Sequence, residues 1–143
     1  MAKNPVPDWF FSQSAVIPFR SGADGLEILL ITTRKRKGWI VPKGVIEPEL
    51  SPEESALAEA AEEAGIKGRI VGDALGSYDY DKWGGTCSVL VFAMAVEQIL
   101  DDWPERNMRD RQWLPAAEAA DLVKKREVGD LIRALAARLR DSG

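Results

Sequence analysis

The chain has 143 residues, 45% of them hydrophobic, so it is long enough to form one domain with a sizeable core. Its formal net charge is −4, which argues against a protein that coats nucleic acid and against duplex DNA or RNA as a partner. The absence of histidine excludes Ser-His or Cys-His nucleophiles and histidine-based zinc sites, so any metal or acid–base chemistry must rest on carboxylates, lysine, tyrosine or bound water.

The sequence predicts neither a signal peptide nor a membrane span. Residues 1–10 contain proline and are expected to form an extended tail. The longest apolar run, around residues 89–96, is too short to cross a bilayer. Cys87 is the only cysteine and lies in an apolar run, which indicates a core thiol. We therefore expect a cytoplasmic protein, and the sequence assigns no oligomeric state.

The predicted elements begin with two strands. Residues 14–19 are expected near a sheet edge or bulge, because Pro18 cannot donate to a ladder, and residues 26–33 form a strand buried on both faces. Later strand pieces are predicted at 68–75, 76–80, 86–96 and 111–114, and amphipathic helices at 115–125 and 127–140. The last helix is expected to serve packing alone.

Between the second and third of these strand segments, clear end signals mark a short helix. Ser51 is a good N-cap, Pro52 suits the first helical position, and Glu54 completes a capping box. Gly65 suits the left-handed conformation that ends a helix.

Three carboxylates share this helix at helical spacing: Glu59, Glu62 and Glu63. One interpretation is a solvated acidic face, which is common in soluble proteins. The other is that a divalent cation offsets the repulsion, since no lysine or arginine occurs between residues 44 and 66. Hard oxygen ligands of this kind suit Mg²⁺ or Mn²⁺.

A basic run, residues 34–37, precedes the acidic helix, and Lys43 follows it closely. Such a run is usually a solvated loop. Here it stands next to the carboxylates, as a site for both phosphate and metal requires. Arg36, Lys37 and Lys43 are therefore the candidate phosphate contacts, and the Gly44 backbone is expected to approach metal or phosphate closely.

Aromatic residues are predicted at the tip of a hairpin whose turn contains Gly84 and Gly85. They are Tyr78, Tyr80 and Trp83. Exposed aromatics at a hairpin tip are ordinary, but they also suit stacking on a base, and Tyr80 is included among the candidate substrate contacts.

The stretch from Gly44 to Ile66 resembles the Nudix box, a glycine and glutamate pattern at fixed offsets. The matching positions are Gly44, Glu59, Ala60, Glu62, Glu63, Gly65 and Ile66. The pattern departs at Leu50, where a glutamate is usual, and at Ala58, where an arginine is usual. The resemblance implies the Nudix fold, an α/β (α+β) domain in which a mixed β-sheet is sandwiched between helices.

A later segment is similar to the Nudix subgroup that cleaves diphosphoinositol polyphosphates and diadenosine polyphosphates. The residues that carry this likeness are Asp101, Asp102, Trp103, Arg109, Arg111 and Trp113, together with the acidic run at 47–49. The resemblance covers roughly residues 13–126. A dinucleoside polyphosphate or a diphosphoinositol polyphosphate is therefore the favoured substrate, with nucleoside diphosphate sugars and nucleoside triphosphates left open.

The resemblance implies metal-dependent hydrolysis of a phosphoanhydride. Glu62 and Glu63 would be principal metal ligands, and Glu59 a further ligand or the group that receives the proton of the attacking water. Glu105 is an additional candidate ligand. No general base is assigned.

The two departures from the box bear on activity rather than on fold. The arginine missing at Ala58 normally orients the box carboxylates, and losing such a partner typically costs about 10–100-fold. One of Glu47, Glu49, Glu53 and Glu54 is a candidate replacement for the acid missing at Leu50. The competing interpretations are a non-catalytic Nudix-fold module that binds a nucleotide or polyphosphate, and a purely structural interaction domain.

Overall fold

The computed structural model describes residues 6–142 of the chain, and side chains up to residue 140. Strands β1 to β7 span Ser12–Gly22, Gly25–Thr32, Trp39–Ile40, Lys43–Val45, Ile66–Lys82, Gly85–Ile99 and Arg111–Pro115. Helices α1, α2 and α3 span Pro52–Glu59, Ala116–Leu122 and Arg126–Ser142. A 3₁₀ turn at Asp8–Phe11 precedes β1, and a π-helical turn at Ala60–Ala64 continues α1.

The strands form one mixed sheet in the order β3-β2-β1-β6-β5, with β4 paired to β1 and β7 paired to β2. The long strands β1 and β6 run parallel, and the other pairings described are antiparallel. Strand β5 joins the two pieces expected at 68–75 and 76–80, with an irregularity between Val71 and Gly76. The last residues of β1 and the first of β2 pair tightly around a two-residue turn.

Side chains alternate between the two faces of the sheet along each strand, and different helices cover the two faces. Val16 and Leu29 pack with Ala60 of the π turn on one face. Ile17 and Ile132 belong to the core on the other face, beneath α2 and α3. The expected mixed sheet between helices is therefore confirmed.

Both predicted end signals of α1 are confirmed. The Ser51 Oγ accepts the N–H of Glu54 at 3.0 Å, and the Ser51 N–H donates to the Glu54 carboxylate at 2.9 Å. Gly65 ends the helix in the left-handed conformation, with φ 65°. The widening of the last turn to π geometry was not predicted; such turns are frequent at functional sites, and this one contains Glu62 and Glu63.

The placement of Pro18 near a sheet edge was wrong, because β1 is a central strand. Residues 13–15 of β1 pair with β4, and residues 19–22 pair with β2 on the same side. Pro18 lies in the interval between these two pairings, while β6 pairs along the opposite side. A proline is tolerated in a central strand here because β1 changes partners at this point.

The predicted extended tail is only partly described. Residues 1–5 lie outside the described residues, and Asp8–Phe11 forms a 3₁₀ turn rather than an extended segment. The rings of Phe10 and Phe11 pack edge-on against Trp83, with centroids 5.4 and 6.1 Å away. Aromatic packing on the β5–β6 turn therefore fixes the entry to β1.

The first C-terminal helix is shorter than the predicted 115–125. Pro115 closes β7, and α2 ends at Leu122 because Val123 bridges to Trp39. The Lys124 N–H then donates to the Trp39 carbonyl at 2.9 Å. Within the described part of the chain, no helix is both long enough and apolar enough to cross a membrane.

Candidate active site

Glu63 is a buried carboxylate at the end of the acidic helix. Its Oε1 accepts the N–H of Lys43 at 3.0 Å, and its Oε2 accepts from Arg109 Nη2 at 3.3 Å. Burial raises the pKa of Glu63 to about 7, although Arg109 and the Lys43 N–H act to lower it. Glu63 is therefore held in one orientation and is not part of a solvated acidic face.

Glu59 lies one turn earlier, half-buried and against the backbone of Gly44. A Cβ at position 44 would overlap the Glu59 carboxylate, so only glycine leaves room for it. Among the residues described, that carboxylate has no hydrogen bond or ion pair. Burial, and then repulsion from Glu63 and Glu62, raise the pKa of Glu59 to about 8.

Glu62 is exposed, but its backbone brings a fourth carboxylate to the site. The Glu62 carbonyl accepts the N–H of Glu105 at 3.1 Å. Glu105 is buried; its Oε1 accepts from Arg109 Nε at 2.7 Å and its Oε2 from Arg34 Nη2 at 3.3 Å. We call Glu63 and Glu105 the inner pair, and Glu59 and Glu62 the outer pair.

The later segment, which carries Asp101, Asp102, Trp103 and Arg111, holds the end of the same helix. Trp103 Nε1 donates to the Glu63 carbonyl at 3.1 Å, and Arg111 Nη1 donates to the Ala64 carbonyl at 2.9 Å. The Arg111 guanidinium stacks 3.9 Å over the Trp103 ring. These contacts satisfy helix-end carbonyls that would otherwise lack partners, so the segment fixes the π turn that carries Glu62 and Glu63.

The donor set at this site suits a hard divalent cation. The carboxylates of Glu63, Glu62 and Glu105 lie close enough to Glu59 to add to the rise in its pKa that burial causes, and Gly44 leaves a cradle for the Glu59 carboxylate. In residues 6–142, however, no three His, Cys, Asp or Glu side chains are already arranged to hold a metal. In the outer pair, Glu59 is unpaired and Glu62 is exposed. The oxygen ligands therefore suit a cation, although they are not yet arranged around one position.

Lys43 connects the carboxylates to an open pocket of about 530 Å³. Its backbone N–H binds Glu63, while its Nζ donates to the Tyr80 hydroxyl at 3.0 Å. Burial lowers the pKa of the Lys43 ammonium, which Glu63 partly opposes. The pocket also contains Lys82, Lys124 and Lys125. It is thus a basic surface beside an acidic cluster.

The two tyrosines do not lie at the hairpin tip as predicted. The turn is formed by Trp83 and Gly84, whereas Tyr78 is 7% exposed and belongs to the core beneath α3. Tyr80 lines the pocket and donates from its hydroxyl to Gln13 at 2.8 Å. Tyr78 and Tyr80 are two residues apart on β5 and therefore lie on the same face of the strand. Both come before the turn.

Arg36 and Lys37 lie outside that pocket. Arg36 Nε lies 3.3 Å from an Asp110 carboxylate oxygen, and its Nη2 donates to the Asn107 carbonyl at 3.3 Å. Lys37 is exposed. Their assignment to substrate stays a prediction. The pocket lysines 82, 124 and 125 were missed because only the fold brings them together; the sequence carries no local signal for them.

The two departures from the Nudix pattern lie on the surface. Leu50 is 37% exposed in the turn before α1, and Ala58 is exposed on the helix. Of the four acids suggested as replacements at this end, Glu54 serves the helix cap, whereas the charge of Glu47 acts on Glu59. Glu47 therefore stays the leading candidate for this replacement.

A larger groove of about 800 Å³ lies elsewhere, between the β1–β2 turn and α3. It contains none of the candidate site residues.

Comparisons with known proteins identify the family of the chain. A family model described as a NUDIX domain matches residues 11–135. Nudix hydrolase 12, mitochondrial, of Arabidopsis thaliana is 35% identical over 132 residues, which cover 78% of this chain and 65% of that protein. Diphosphoinositol polyphosphate phosphohydrolase 3-alpha of Mus musculus is 32% identical over 120 residues, covering 82% of this chain and 72% of that protein.

Solved structures share the fold. The Ap4A hydrolase of C. elegans, in a binary complex, superposes with a TM-score of 0.74 at 23% identity, covering 91% of this chain and 98% of that one. The chain spans 65%, 54% and 57% of the length of the first plant relatives it matches. The family model includes the whole acidic helix, the Gly44 cradle and the loop that carries Glu105 and Arg109, and so the chain belongs to the Nudix family.

Proposed function

We propose that the chain is a metal-dependent pyrophosphohydrolase that cleaves a phosphoanhydride in a small phosphorylated molecule. The observation that carries this proposal is the position of Lys43, whose backbone binds a site carboxylate while its side chain lies in a lysine-lined pocket. Carboxylates for a cation and lysines for phosphate therefore stand side by side, as phosphoryl transfer requires.

The metal residues in this proposal are Glu59, Glu62 and Glu63, with Glu105 as an additional ligand. Mg²⁺ or Mn²⁺ bound there would neutralise the charge that develops on the phosphate oxygens. Glu59 either binds the cation or accepts the proton of the attacking water. Its lack of a partner among the described residues leaves it available for either role.

The phosphate residues in this proposal line the pocket. Lys43, Lys82, Lys124 and Lys125 provide four cations, and Tyr80 provides an aromatic ring. Gly44 follows Lys43 in the chain, and its backbone is proposed as a further contact. Arg36 and Lys37 are proposed as outer contacts for a longer substrate.

The favoured substrates are a dinucleoside polyphosphate or a diphosphoinositol polyphosphate. Four lysines around one pocket suit a highly charged molecule better than a single phosphate. Relatives named for these two classes of substrate support the choice. The cytoplasmic location stays a prediction, since some relatives carry mitochondrial or chloroplastic names.

The test is release of phosphate and nucleotide from a panel of four substrate classes, with Mg²⁺ or Mn²⁺. The panel comprises a dinucleoside polyphosphate, a diphosphoinositol polyphosphate, a nucleoside diphosphate sugar and a nucleoside triphosphate. Glu62→Gln should abolish turnover, whereas Glu53→Gln, an exposed acid on the same helix, should not. Ligand-induced thermal stabilisation without turnover would instead identify the non-catalytic binding module.

A further inference from the structure

Arg109 occupies an unusual position for a cation, buried beneath the acidic helix on the loop before β7. Its side chain is 7% exposed. Each of its three nitrogens donates to a different acceptor: Nε to Glu105 at 2.7 Å, Nη2 to Glu63 at 3.3 Å and Nη1 to the Thr32 carbonyl at 3.0 Å.

These contacts position the two carboxylates as well as balancing their charge. A guanidinium is a rigid planar fork, so one side chain sets the separation between two carboxylates and ties both to the backbone of β2. Glu63 comes from the π turn and Glu105 from the loop, which the Glu105 N–H also joins to the Glu62 carbonyl. The inner pair is therefore tied to three parts of the molecule: the π turn, the loop before β7 and strand β2.

Position 58 provides no such cation in this chain. Ala58 is exposed on α1 and stands four residues before Glu62, so an arginine there would lie beside Glu62. Glu63 lies in the π turn and is buried against Arg109, whereas Ala58 lies on the exposed surface of α1. The buried carboxylate already has its cation, and that cation comes from the loop.

We propose that Arg109 is the positioning residue of the site, and that it supplies from the loop before β7 the orienting cation that the box lacks at Ala58. This inference rests on the proposed function. It assigns Arg109 no contact with substrate: Arg109 acts by holding Glu63 and Glu105 in fixed positions beside Glu59 and Glu62, where the four carboxylates can share the cation.

The test compares Arg109→Met, Arg109→Lys and Arg106→Met with the wild-type protein. Arg106 is a matched control, because it lies on the same loop in an exposed ion pair with Asp102. Mn²⁺ binding is measured by the electron paramagnetic resonance signal of free Mn²⁺, and kcat and KM are measured separately on the substrate that the wild type cleaves best. Circular dichroism and thermal melting report folding.

Arg109→Met is expected to weaken Mn²⁺ binding and lower kcat by about 10–100-fold each, with KM changed less than about twofold. Arg109→Lys keeps the charge but has one nitrogen, so its Mn²⁺ affinity should stay at least about threefold below wild type. Arg106→Met should match the wild type.

Wild-type or tighter Mn²⁺ binding by Arg109→Met would overturn the inference, because Arg109 would then only balance charge or compete with the cation. If Arg109→Met does not fold, Arg109→Lys decides: weaker binding at a wild-type melting temperature supports the inference, and wild-type binding overturns it. The wild-type measurements alone test the proposed function. Mn²⁺ binding without turnover refutes the hydrolase while the variants still test Arg109, and no Mn²⁺ binding refutes both.

Discussion

The inner and outer pairs lie on one short helix and its neighbouring loop, yet their surroundings differ sharply. The inner pair, Glu63 and Glu105, is buried and shares Arg109. The outer pair has no such partner: Glu62 is exposed, and Glu59 rests against Gly44 with its pKa raised to about 8. The difference indicates a division of labour, in which the protein holds the inner pair in fixed positions and leaves the outer pair free to close around a cation.

The largest expected effect comes from removing the outer charges. Glu59→Gln and Glu62→Gln should each lower kcat by at least about a hundredfold, because a bound cation contributes several kcal/mol to such reactions. The free energy of unfolding should not fall in either variant. Steady-state turnover and urea unfolding check both points, with Glu53→Gln as the control. A Glu62→Gln variant as active as Glu53→Gln would remove the outer pair from the chemistry.

Removing Glu105, one member of the inner pair, should instead destabilise the fold. Glu105→Ala leaves Arg109 buried with one carboxylate fewer, and breaking a buried pair typically costs about 3–5 kcal/mol. Arg109 keeps its other carboxylate, and Arg34, which also loses its partner, is exposed and so adds little to the loss. The loss is therefore expected at the lower end of this range, about 3 kcal/mol. Urea unfolding measures this loss. Asp102→Ala, which breaks an exposed pair, is the control, and an equal loss in both variants would contradict the distinction between buried and exposed acids.

Gly44→Ala should affect the outer pair without unfolding the protein. The added methyl would displace the Glu59 carboxylate, which is the flexible end of a side chain, so stability should change by less than about 1 kcal/mol. Loss of an aligned ligand should lower kcat by about tenfold. Turnover and thermal melting report the two effects. A Gly44→Ala variant with unchanged kcat would mean that the cradle does not serve the reaction.

The stability of the metal-free protein should depend on pH through Glu59. Its pKa is raised from 4.5 to about 8 on folding, so the folded state holds the proton more tightly and stability falls as pH rises from about 4.5 to 8. Glu59→Gln removes the share of this decline that Glu59 causes and leaves the share of Glu63, whose pKa is raised to about 7. Discounted for partial exposure, the variant should be more stable than wild type by about 1 kcal/mol above pH 8 and equal to it below pH 4.5. Thermal melts in a chelator across that range test the sign.

The smallest effect is expected at the surface position of the box. Ala58→Arg places a cation four residues before Glu62, a contact worth about 0.2–0.5 kcal/mol on an exposed helix. Metal-free stability should rise by that amount, and kcat should change less than about threefold, because Arg109 already holds the inner pair. A tenfold gain in kcat would instead show that position 58 still limits the site.

The acidic helix was predictable because its signals are local. The capping box at Ser51 and Glu54 and the stop at Gly65 lie within one stretch of sequence, and each is satisfied by residues a few positions away. Strand β2 was likewise predictable, because its nearly continuous apolar run indicates burial on both faces. These features needed no knowledge of the fold.

The ion pairs of the site were not predictable, because the residues that pair are distant in sequence. Arg109 and Glu63 are 46 residues apart, and only the loop before β7 brings them together. The same holds for the pocket lysines, which come from the β5 turn and the segment after α2. Tyr78 shows the converse: aromatic composition suggested a hairpin tip, whereas the strand register places it in the core.

Mn²⁺ binding by the outer pair tests the central claim most directly. Free Mn²⁺ is measured by electron paramagnetic resonance in titrations of wild type, Glu62→Gln and Glu53→Gln at pH 8. The division of labour predicts saturable binding by wild type and Glu53→Gln, and binding weakened by at least about tenfold in Glu62→Gln. Equal binding by all three proteins, or none by the wild type at millimolar Mn²⁺, would contradict it.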